Sequence, residues 1–385
     1  MNSGLKSYWQ TFSRVLMGML EKPMWLMLLV SLCVMSMVYA NRTVWDLPVA
    51  VVDQDHSTAS RQLIRQLDAT SKISIKTYDN LPDAQRDLAW RKLFAVIIMP
   101  TDLEKKILNG ESIVIPVYGD ATNRLANGQI QQDVVAAYQQ LLNEYNSGLL
   151  LRSGFTPGQA EVLLTPIRGQ ILAVFNPGIS FAAIIFPGLL VMLLQHSLLI
   201  ACVRVSIAMK SAPSGKPSIP VYLGGLSALL PIWLFLSIVL FVLWPWLLGY
   251  RQTASIPEVL LLTFPFLLAV LGLGKLVTEC LRSVEMIYLT LSFVTMPIFY
   301  ISGTIWPLQA MPGWVRAISS MLPSTWATKA IAGVNQMGLS LRDVVGDMLI
   351  LLLLGAIYTL IGISVGVLRN RVELRALLRG KSAVK

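Results

Sequence analysis

The sequence has few charged residues for its length. Only 14% of its 385 residues are Asp, Glu, Lys or Arg, whereas 55% are hydrophobic, and the mean hydropathy is +0.62. Soluble globular proteins carry about a quarter of charged residues. This composition excludes an ordinary soluble protein and predicts an integral membrane protein.

Cysteine and histidine are also scarce, which excludes several kinds of site. Cys33, Cys202 and Cys280 lie in or beside hydrophobic segments, so the polar part of the chain has neither a disulfide framework nor a cysteine-based metal site. With two histidines, no Ser/His/Asp or Cys/His set occurs in a suitable context, so we expect no enzyme activity, no metal and no cofactor on this chain. The Gly-Lys pairs at Gly215 and Gly380 lack the first glycine of a phosphate-binding loop. If ATP is used, another chain must bind it.

Hydrophobic runs predict six membrane-spanning helices. The run at 176–203 has no charged residue from Gly178 to Val203 and is long enough to cross a hydrocarbon core of about 30 Å. Asn176 suits the N-cap of this helix, and Pro177 suits its first position. A cleaved signal peptide is the competing interpretation of the first run, but the segment before it is long and amphipathic. The predicted spans are 23–40, 176–203, 221–249 (interrupted by Pro231), 257–276, 284–303 and 347–368.

A region of soluble character, 41–175, separates the first two spans. Runs rich in β-branched residues alternate there with helical patterns, which predicts a mixed sheet with helices packed on it. The predicted strands are Val49–Asp53, Ile73–Tyr78, Phe94–Pro100 and Ile113–Asp120. The predicted helices are Thr58–Asp68, Pro82–Lys92, Asp102–Leu108, Asn127–Leu151 and Pro157–Leu172. An apolar stripe on the fourth of these helices comprises Ile130, Val134, Ala137, Leu141 and Tyr145.

Four further segments complete the predicted organisation. Residues 1–22, with the helical pattern over Leu5–Lys22, form an interfacial helix. Residues 204–220 form a basic loop, and 369–385 form a basic tail. Residues 304–338 are broken by Pro307, Pro312 and Pro323, which predicts short re-entrant or interfacial helices.

The distribution of charge predicts the topology. With six spans, one side of the membrane carries both termini and the loops after spans two and four. That side holds fourteen basic residues and four glutamates, which account for the whole net charge of +10. Because basic residues favour the cytosolic side, we expect both termini in the cytosol and the 41–175 domain outside it. The basic residues are then determinants of topology, and no nucleic-acid partner is expected. The predicted fold class is a polytopic α-helical membrane protein with six transmembrane helices and an inserted extracytoplasmic α/β domain.

Three polar groups each allow two interpretations. Residues Asp53–Ser57 (DQDHS) place two carboxylates and a histidine after a strand; a metal site is conceivable, but helix capping by Asp55 or Ser57 is favoured. His196, beside Gln195 in the second span, marks a transport path or bonds to a neighbouring helix. The alternating charges Lys275, Glu279, Arg282 and Glu285 pair with one another or with a partner protein.

The order of these parts resembles the permease subunits of ABC-2-type transporters, in particular the bacterial exporter group with a large periplasmic domain between the first two spans. The motifs that carry the resemblance are VAVVDQD (49–55), FNP (175–177) and the segment SGTIWPLQAMPGWVRAISSMLPSTW (302–326). The resemblance implies a permease that is driven by a separate ABC ATP-binding subunit and pairs with a second permease copy, as a homodimer or heterodimer.

The same resemblance implies where the ATPase and the substrate are bound. It places ATPase contacts on Leu5–Lys22 and Arg204–Pro220, with Arg14, Arg204, Lys210 and Lys216 as candidates. Relatives carry an acidic segment after the second span, and this loop has none, which indicates a divergent ATPase or a heterodimer.

The predicted function is export of a hydrophobic or amphipathic compound, drug-like or lipid, across a bacterial inner membrane. Spans two and five form the predicted substrate path, with Gln195, His196, Phe299 and Trp306 as candidate residues, and Thr304–Pro323 covers its outer end. A periplasmic membrane-fusion adaptor and membrane lipids are further expected partners. The alternative is a non-transporting ABC-2-like scaffold or receptor that acts through its extracytoplasmic domain.

Overall fold

A computed structural model describes residues 3–38, 46–70, 72–122, 124–166, 181–210, 218–281 and 283–382. The chain forms two compact units. The helical unit comprises Met1–Ala40 and Ala182–Lys385, and the sheet unit comprises Asn41–Phe181. The described structure is mostly α-helical, with one small sheet.

The sheet unit contains four strands in the order β2-β1-β3-β4: β1 (Leu47–Asp53), β2 (Ile73–Tyr78), β3 (Ala95–Met99) and β4 (Val117–Gly119). Strand β1 is parallel to β2 and β3, and β4 is antiparallel to β3. The predicted mixed sheet is therefore confirmed. Strand β1 is buried on both faces, which explains the unbroken apolar run at Val49–Val52.

The described residues of the sheet unit form five helices: α3 (Thr58–Asp68), α4 (Leu81–Ala89), α5 (Leu103–Leu108), α6 (Arg124–Arg152) and α7 (Pro157–Leu164). One face of the sheet packs on α3, α5 and α6, including the predicted stripe from Ile130 to Leu141, and the other face packs on α4. Strand β4 is shorter than predicted, because Pro116 has no N–H to donate to a ladder. Helix α7 ends at Leu164, eight residues before the predicted end.

The helical unit contains α1 (Ser3–Glu21), α2 (Met27–Val38), α8 (Phe181–Lys210), α9 (Ile219–Ser227), α10 (Leu230–Ile238), α11 (Trp244–Leu247), α12 (Ile256–Cys280), α13 (Val284–Ile301), α14 (Gly313–Ser320), α15 (Pro323–Asn335) and α16 (Val345–Ser382). Within the described residues, four helical stretches are long and apolar enough to cross a membrane. They are Ala183–Met209, Ile219–Leu247, Ile256–Cys280 and Leu341–Arg369. They coincide with the predicted second, third, fourth and sixth spans.

The first and fifth predicted spans coincide with shorter apolar helices, Met27–Met37 and Glu285–Ile301, so a count of six remains a prediction. The third span is interrupted as expected, since α9 ends at Ser227 and α10 begins with Pro231 in its first turn. Helix α16 continues to Ser382, so most of the predicted basic tail is helical. Asn176 and Pro177, the predicted entry to the second span, lie outside the described residues.

Helices α12 and α16 pack with their backbones in direct contact. A Cβ atom on Gly272 would overlap the carbonyl oxygen of Gly355, and a Cβ on Gly355 would lie 3.0 Å from the backbone of Leu268 and Ala269. Glycines at such a crossing let two helices approach more closely than side chains would allow. The pair is therefore a close helix contact that depends on both glycines.

Candidate functional site

The first candidate site is the part of the helical unit where α1 contacts α9. Helix α1 lies along α9: the hydroxyl groups of Tyr8 and Ser227 are 2.8 Å apart. A Cβ on Gly224 would be 2.5 Å from the Tyr8 carbonyl oxygen, so only glycine permits this approach. The predicted interfacial helix is thus attached to the beginning of the third span.

The chain between α1 and α2 is held by one hydrogen bond to α1 and two from α8. The Trp25 indole donates to the Met19 carbonyl at 3.1 Å, and the Ser197 hydroxyl donates to the Trp25 carbonyl at 3.0 Å. The Arg204 guanidinium donates to the Lys22 carbonyl at 2.6 Å, just beyond the last turn of α1. A cation at a helix C-terminus also interacts favourably with the helix dipole. The α1 segment is therefore connected to α8 as well as to α9.

The four candidate coupling residues do not share one environment. Arg14 is exposed on α1, whereas Arg204 is half-buried and bonded to the chain's own backbone. Lys210 is the last residue of α8, and Lys216 lies outside the described residues. Arg14 is thus accessible on α1, and Arg204 is bonded within the chain.

A second group of charges lies where α12 ends beside α16. Lys275 and Glu279 form an ion pair at 2.6 Å, and Arg369 of α16 donates to the Glu279 carbonyl. The self-pairing predicted for the alternating charges is confirmed for these two residues. Glu285 is exposed, and Arg282 lies outside the described residues. Arg369 was not predicted as a partner, because nothing in the sequence indicates that α16 passes beside the end of α12.

The predicted substrate path corresponds to the interface of α8 and α13. His196 Nδ1 and the Thr295 hydroxyl are 2.7 Å apart, and that hydroxyl donates to the Leu291 carbonyl at 2.5 Å. Because a hydroxyl has one hydrogen, His196 Nδ1 is the donor of the first bond. This is the bond to a neighbouring helix that one interpretation of His196 required. Thr295 was missed, since a threonine in an apolar run gives no signal of its own.

Gln195, Phe299 and Trp306 differ in exposure. Gln195 is 2% exposed, and its Oε1 has no hydrogen-bond partner among the described residues. Phe299 is 7% exposed and lies one turn after Thr295, whereas Trp306 is 52% exposed. The Thr304 side chain packs against Gly188 of α8. The structure thus joins His196 of α8 to α13 through Thr295, buries Gln195 on α8 and Phe299 on α13, and places Trp306 at the surface.

Residues Asp53–Ser57 of the sheet unit act as caps. Ser57 is the N-cap of α3 and accepts from the Ser60 N–H. Asp55 accepts hydrogen bonds from the N–H groups of Leu103 and Glu104 at 3.1 and 3.2 Å, which caps α5. Burial alone would raise the pKa of Asp55, but these bonds and one from Ser57 outweigh it and lower the pKa. The capping interpretation is confirmed, and the described residues contain no cluster of three metal ligands.

Comparison with known proteins agrees with this architecture. A family model described as "ABC-2 family transporter protein" matches residues 24–364. ABC transporter G family member 20 of Dictyostelium discoideum is 23% identical over 318 residues, which cover 77% of this chain and 41% of that protein. The linearmycin resistance permease protein LnrN of Bacillus subtilis is 28% identical over 112 residues, which cover 29% of each. The alignments span less than half of either relative.

Proposed function

Because the chain belongs to the ABC-2 transporter family, we propose that it is the membrane permease of an exporter powered by an ATPase on a separate chain. Family membership supports a transport subunit rather than an enzyme. The proposed cargo is a hydrophobic or amphipathic compound, and the proposed location is a bacterial inner membrane. The Bacillus relative is named a linearmycin resistance permease protein, and outward transport is part of the proposal for this chain.

The observation that carries the proposal is the double attachment of α1. An amphipathic helix that only anchored the chain in the interface would need no bond to a span. Here α1 contacts α9 through Tyr8 and Gly224, and its end is bonded to α8 through Arg204. A force applied to α1 by an ATPase would therefore reach the second and third spans together. Arg14, exposed on the same helix, is the proposed contact with the ATPase.

The proposed substrate path follows the α8–α13 interface. It offers apolar side chains of both helices and the hydrogen-bonded pair of His196 and Thr295, and the buried Gln195 and Phe299 lie on the same two helices. Such a lining suits a cargo that is mainly apolar and carries one or two hydrogen-bonding groups. A second permease copy, a periplasmic adaptor bound to the sheet unit and cytosolic termini complete the proposal.

The test is purification from the native membrane in mild detergent, followed by mass spectrometry and reconstitution of dye efflux. We expect an ABC ATPase in stoichiometric amount with the unchanged chain. Arg14→Gln should reduce the amount of ATPase recovered. Arg204→Gln should retain the ATPase but lower efflux per ATP hydrolysed. It weakens the connection between α1 and α8, and it leaves the contact between α1 and the ATPase unchanged. Arg316→Gln, an exposed arginine of the 304–338 segment, is the matched control and should behave as the unchanged chain.

The result that would overturn the proposal is absence of any ATPase while a known ABC complex, purified in parallel, keeps its own. That outcome would favour the scaffold or receptor alternative, and the sheet unit would become the part to study. Loss of ATPase from Arg204→Gln, with Arg14→Gln unaffected, would reverse the roles given to these two residues.

A further inference from the structure

A proline disturbs the third span near its end. Pro245 lies in the sequence Trp244-Pro245-Trp246 and is buried. In a regular α-helix, the N–H of residue 245 would bond to the Phe241 carbonyl, but proline has no N–H and its ring clashes with that carbonyl. The helix widens into a π-helix over Val239–Leu243, where the Trp244 N–H bonds to the Val239 carbonyl. Such wide turns are commonly associated with function.

Two side-chain amides from elsewhere in the chain donate to this wide turn. Asn335 Nδ2 donates to the Phe241 carbonyl at 3.3 Å, and Gln252 Nε2 donates to the Val242 carbonyl at 2.7 Å. In an apolar environment an unsatisfied carbonyl is costly, and a side chain that satisfies it is stabilising. Asn335 therefore supplies to Phe241 the donor that Pro245 lacks.

Asn335 is the last residue of α15 and is 5% exposed. Its Oδ1 accepts from the Ala254 N–H at 3.3 Å, and its carbonyl accepts from the Thr253 N–H at 2.9 Å. The Thr253 hydroxyl also donates to the Val334 carbonyl. One asparagine thus joins the end of α15 to the third span and to the loop before α12.

We propose that Asn335 is a latch, a positioning residue that holds the C-terminal turn of α15 against the third span and whose release is required before this turn can move. The Phe241 carbonyl accepts from Asn335 in place of the N–H that Pro245 lacks, so the latch depends on both Asn335 and Pro245. When the turn moves away, the Phe241 carbonyl loses this donor, and this loss opposes opening. The device concerns the chain alone and does not depend on an ATPase or on transport.

The test is cysteine labelling of the purified full chain in detergent. Cys33 and Cys280 are replaced by serine, and Cys202, which is 1% exposed, is kept as an internal control. Val334→Cys reports on the turn, since Val334 is 3% exposed and a cysteine there reacts only when the turn opens. Asn335→Leu keeps the approximate volume of the side chain and removes its hydrogen bonds. We expect labelling at position 334 to become about tenfold faster, the effect of losing a buried hydrogen bond.

Three comparisons decide the outcome. Gln336→Leu makes the same chemical change one residue later, where the side chain has no hydrogen bond in the described structure, and should leave labelling at 334 within about twofold. Pro245→Ala gives Phe241 a backbone donor, so in that background Asn335→Leu should raise labelling less than about threefold. Labelling of Cys202 should stay at its slow rate in every variant.

Each contrary result overturns the proposal. Unchanged labelling in Asn335→Leu would show that the residue does not hold the turn. A parallel rise at Cys202 would show general loosening rather than release of a latch. An undiminished tenfold effect in the Pro245→Ala background would show that the Phe241 carbonyl is not the group that Asn335 holds. If Asn335→Leu does not fold, Asn335→Ser gives the same three comparisons with a smaller change.

Discussion

Replacing Gly224 by alanine should detach α1 from α9. The added Cβ would lie 2.5 Å from the Tyr8 carbonyl oxygen, and a carbon–oxygen contact of about 3.3 Å requires the helices to separate by about 0.8 Å. The obstacle is backbone, so no side-chain rotation can relieve it. Overpacking of this kind costs roughly 1–3 kcal/mol, and loss of the Tyr8–Ser227 hydrogen bond adds about 1 kcal/mol.

The assay is hydrogen exchange of the full chain, read by mass spectrometry on peptides from α1. A loss of about 1.4 kcal/mol corresponds to a tenfold faster exchange, so we expect at least tenfold for Gly224→Ala. Gly18→Ala, on α1 itself, is the control: a Cβ there meets nothing within 4 Å. Because alanine is the better helix former by about 1 kcal/mol, this variant should exchange more slowly. Unchanged exchange in Gly224→Ala would refute the contact between α1 and α9 on which the coupling argument depends.

Other predictions concern single contacts. Asp55→Asn should weaken the cap of α5 by about 1 kcal/mol at pH 7. The pKa of Asp55 is lower in the folded chain than in the unfolded chain. The difference in amide exchange between the unchanged chain and the variant should therefore shrink as the pH falls, first through the unfolded-state pKa of Asp55 and then through its folded-state pKa. Gly355→Ala should lower the free energy of unfolding by roughly 1–2 kcal/mol, whereas Gly346→Ala, where a Cβ meets nothing within 4 Å, should be neutral or stabilising by up to about 1 kcal/mol. A double-mutant cycle of His196→Phe and Thr295→Val should give a coupling free energy of about 0.6 kcal/mol in thermal unfolding, and a value near zero would contradict the hydrogen bond between α8 and α13.

Local signals in the sequence predicted the sheet unit well. Strand β2 and helix α3 have the predicted bounds. The alternation of β-branched residues and the Ser57 cap both depend only on residues that are close together in the sequence. The stripe on α6 is buried for the same reason. The predicted bounds of β4 were wrong for a reason that is also local. Pro116 shortens the strand, and the apolar pattern around it does not show this effect.

Contacts between distant segments could not be predicted. Asp55 was assigned a cap, but its target, α5, begins almost fifty residues later. Arg204 remains a predicted coupling residue, and no pattern in the sequence indicated its hydrogen bond to the Lys22 carbonyl. Pro245 shows that the helix is disturbed, yet no pattern indicates that Asn335 supplies the donor. Sequence periodicity defines the faces of a helix, and it does not specify which helix covers each face.

The contact between α12 and α16 has a mechanical consequence. Where side chains separate two helices, the distance between them changes as rotamers change; between Gly272 and Gly355 only backbone atoms meet, so that distance has no such freedom. The Cys202 side chain of α8 packs on Gly274 of α12, which brings a third helix close to this pair. Thermal motion and altered lipid composition should deform the remaining helix pairs first. These three helices would then serve as the stationary frame of the helical unit, against which displacements of its other helices can be measured.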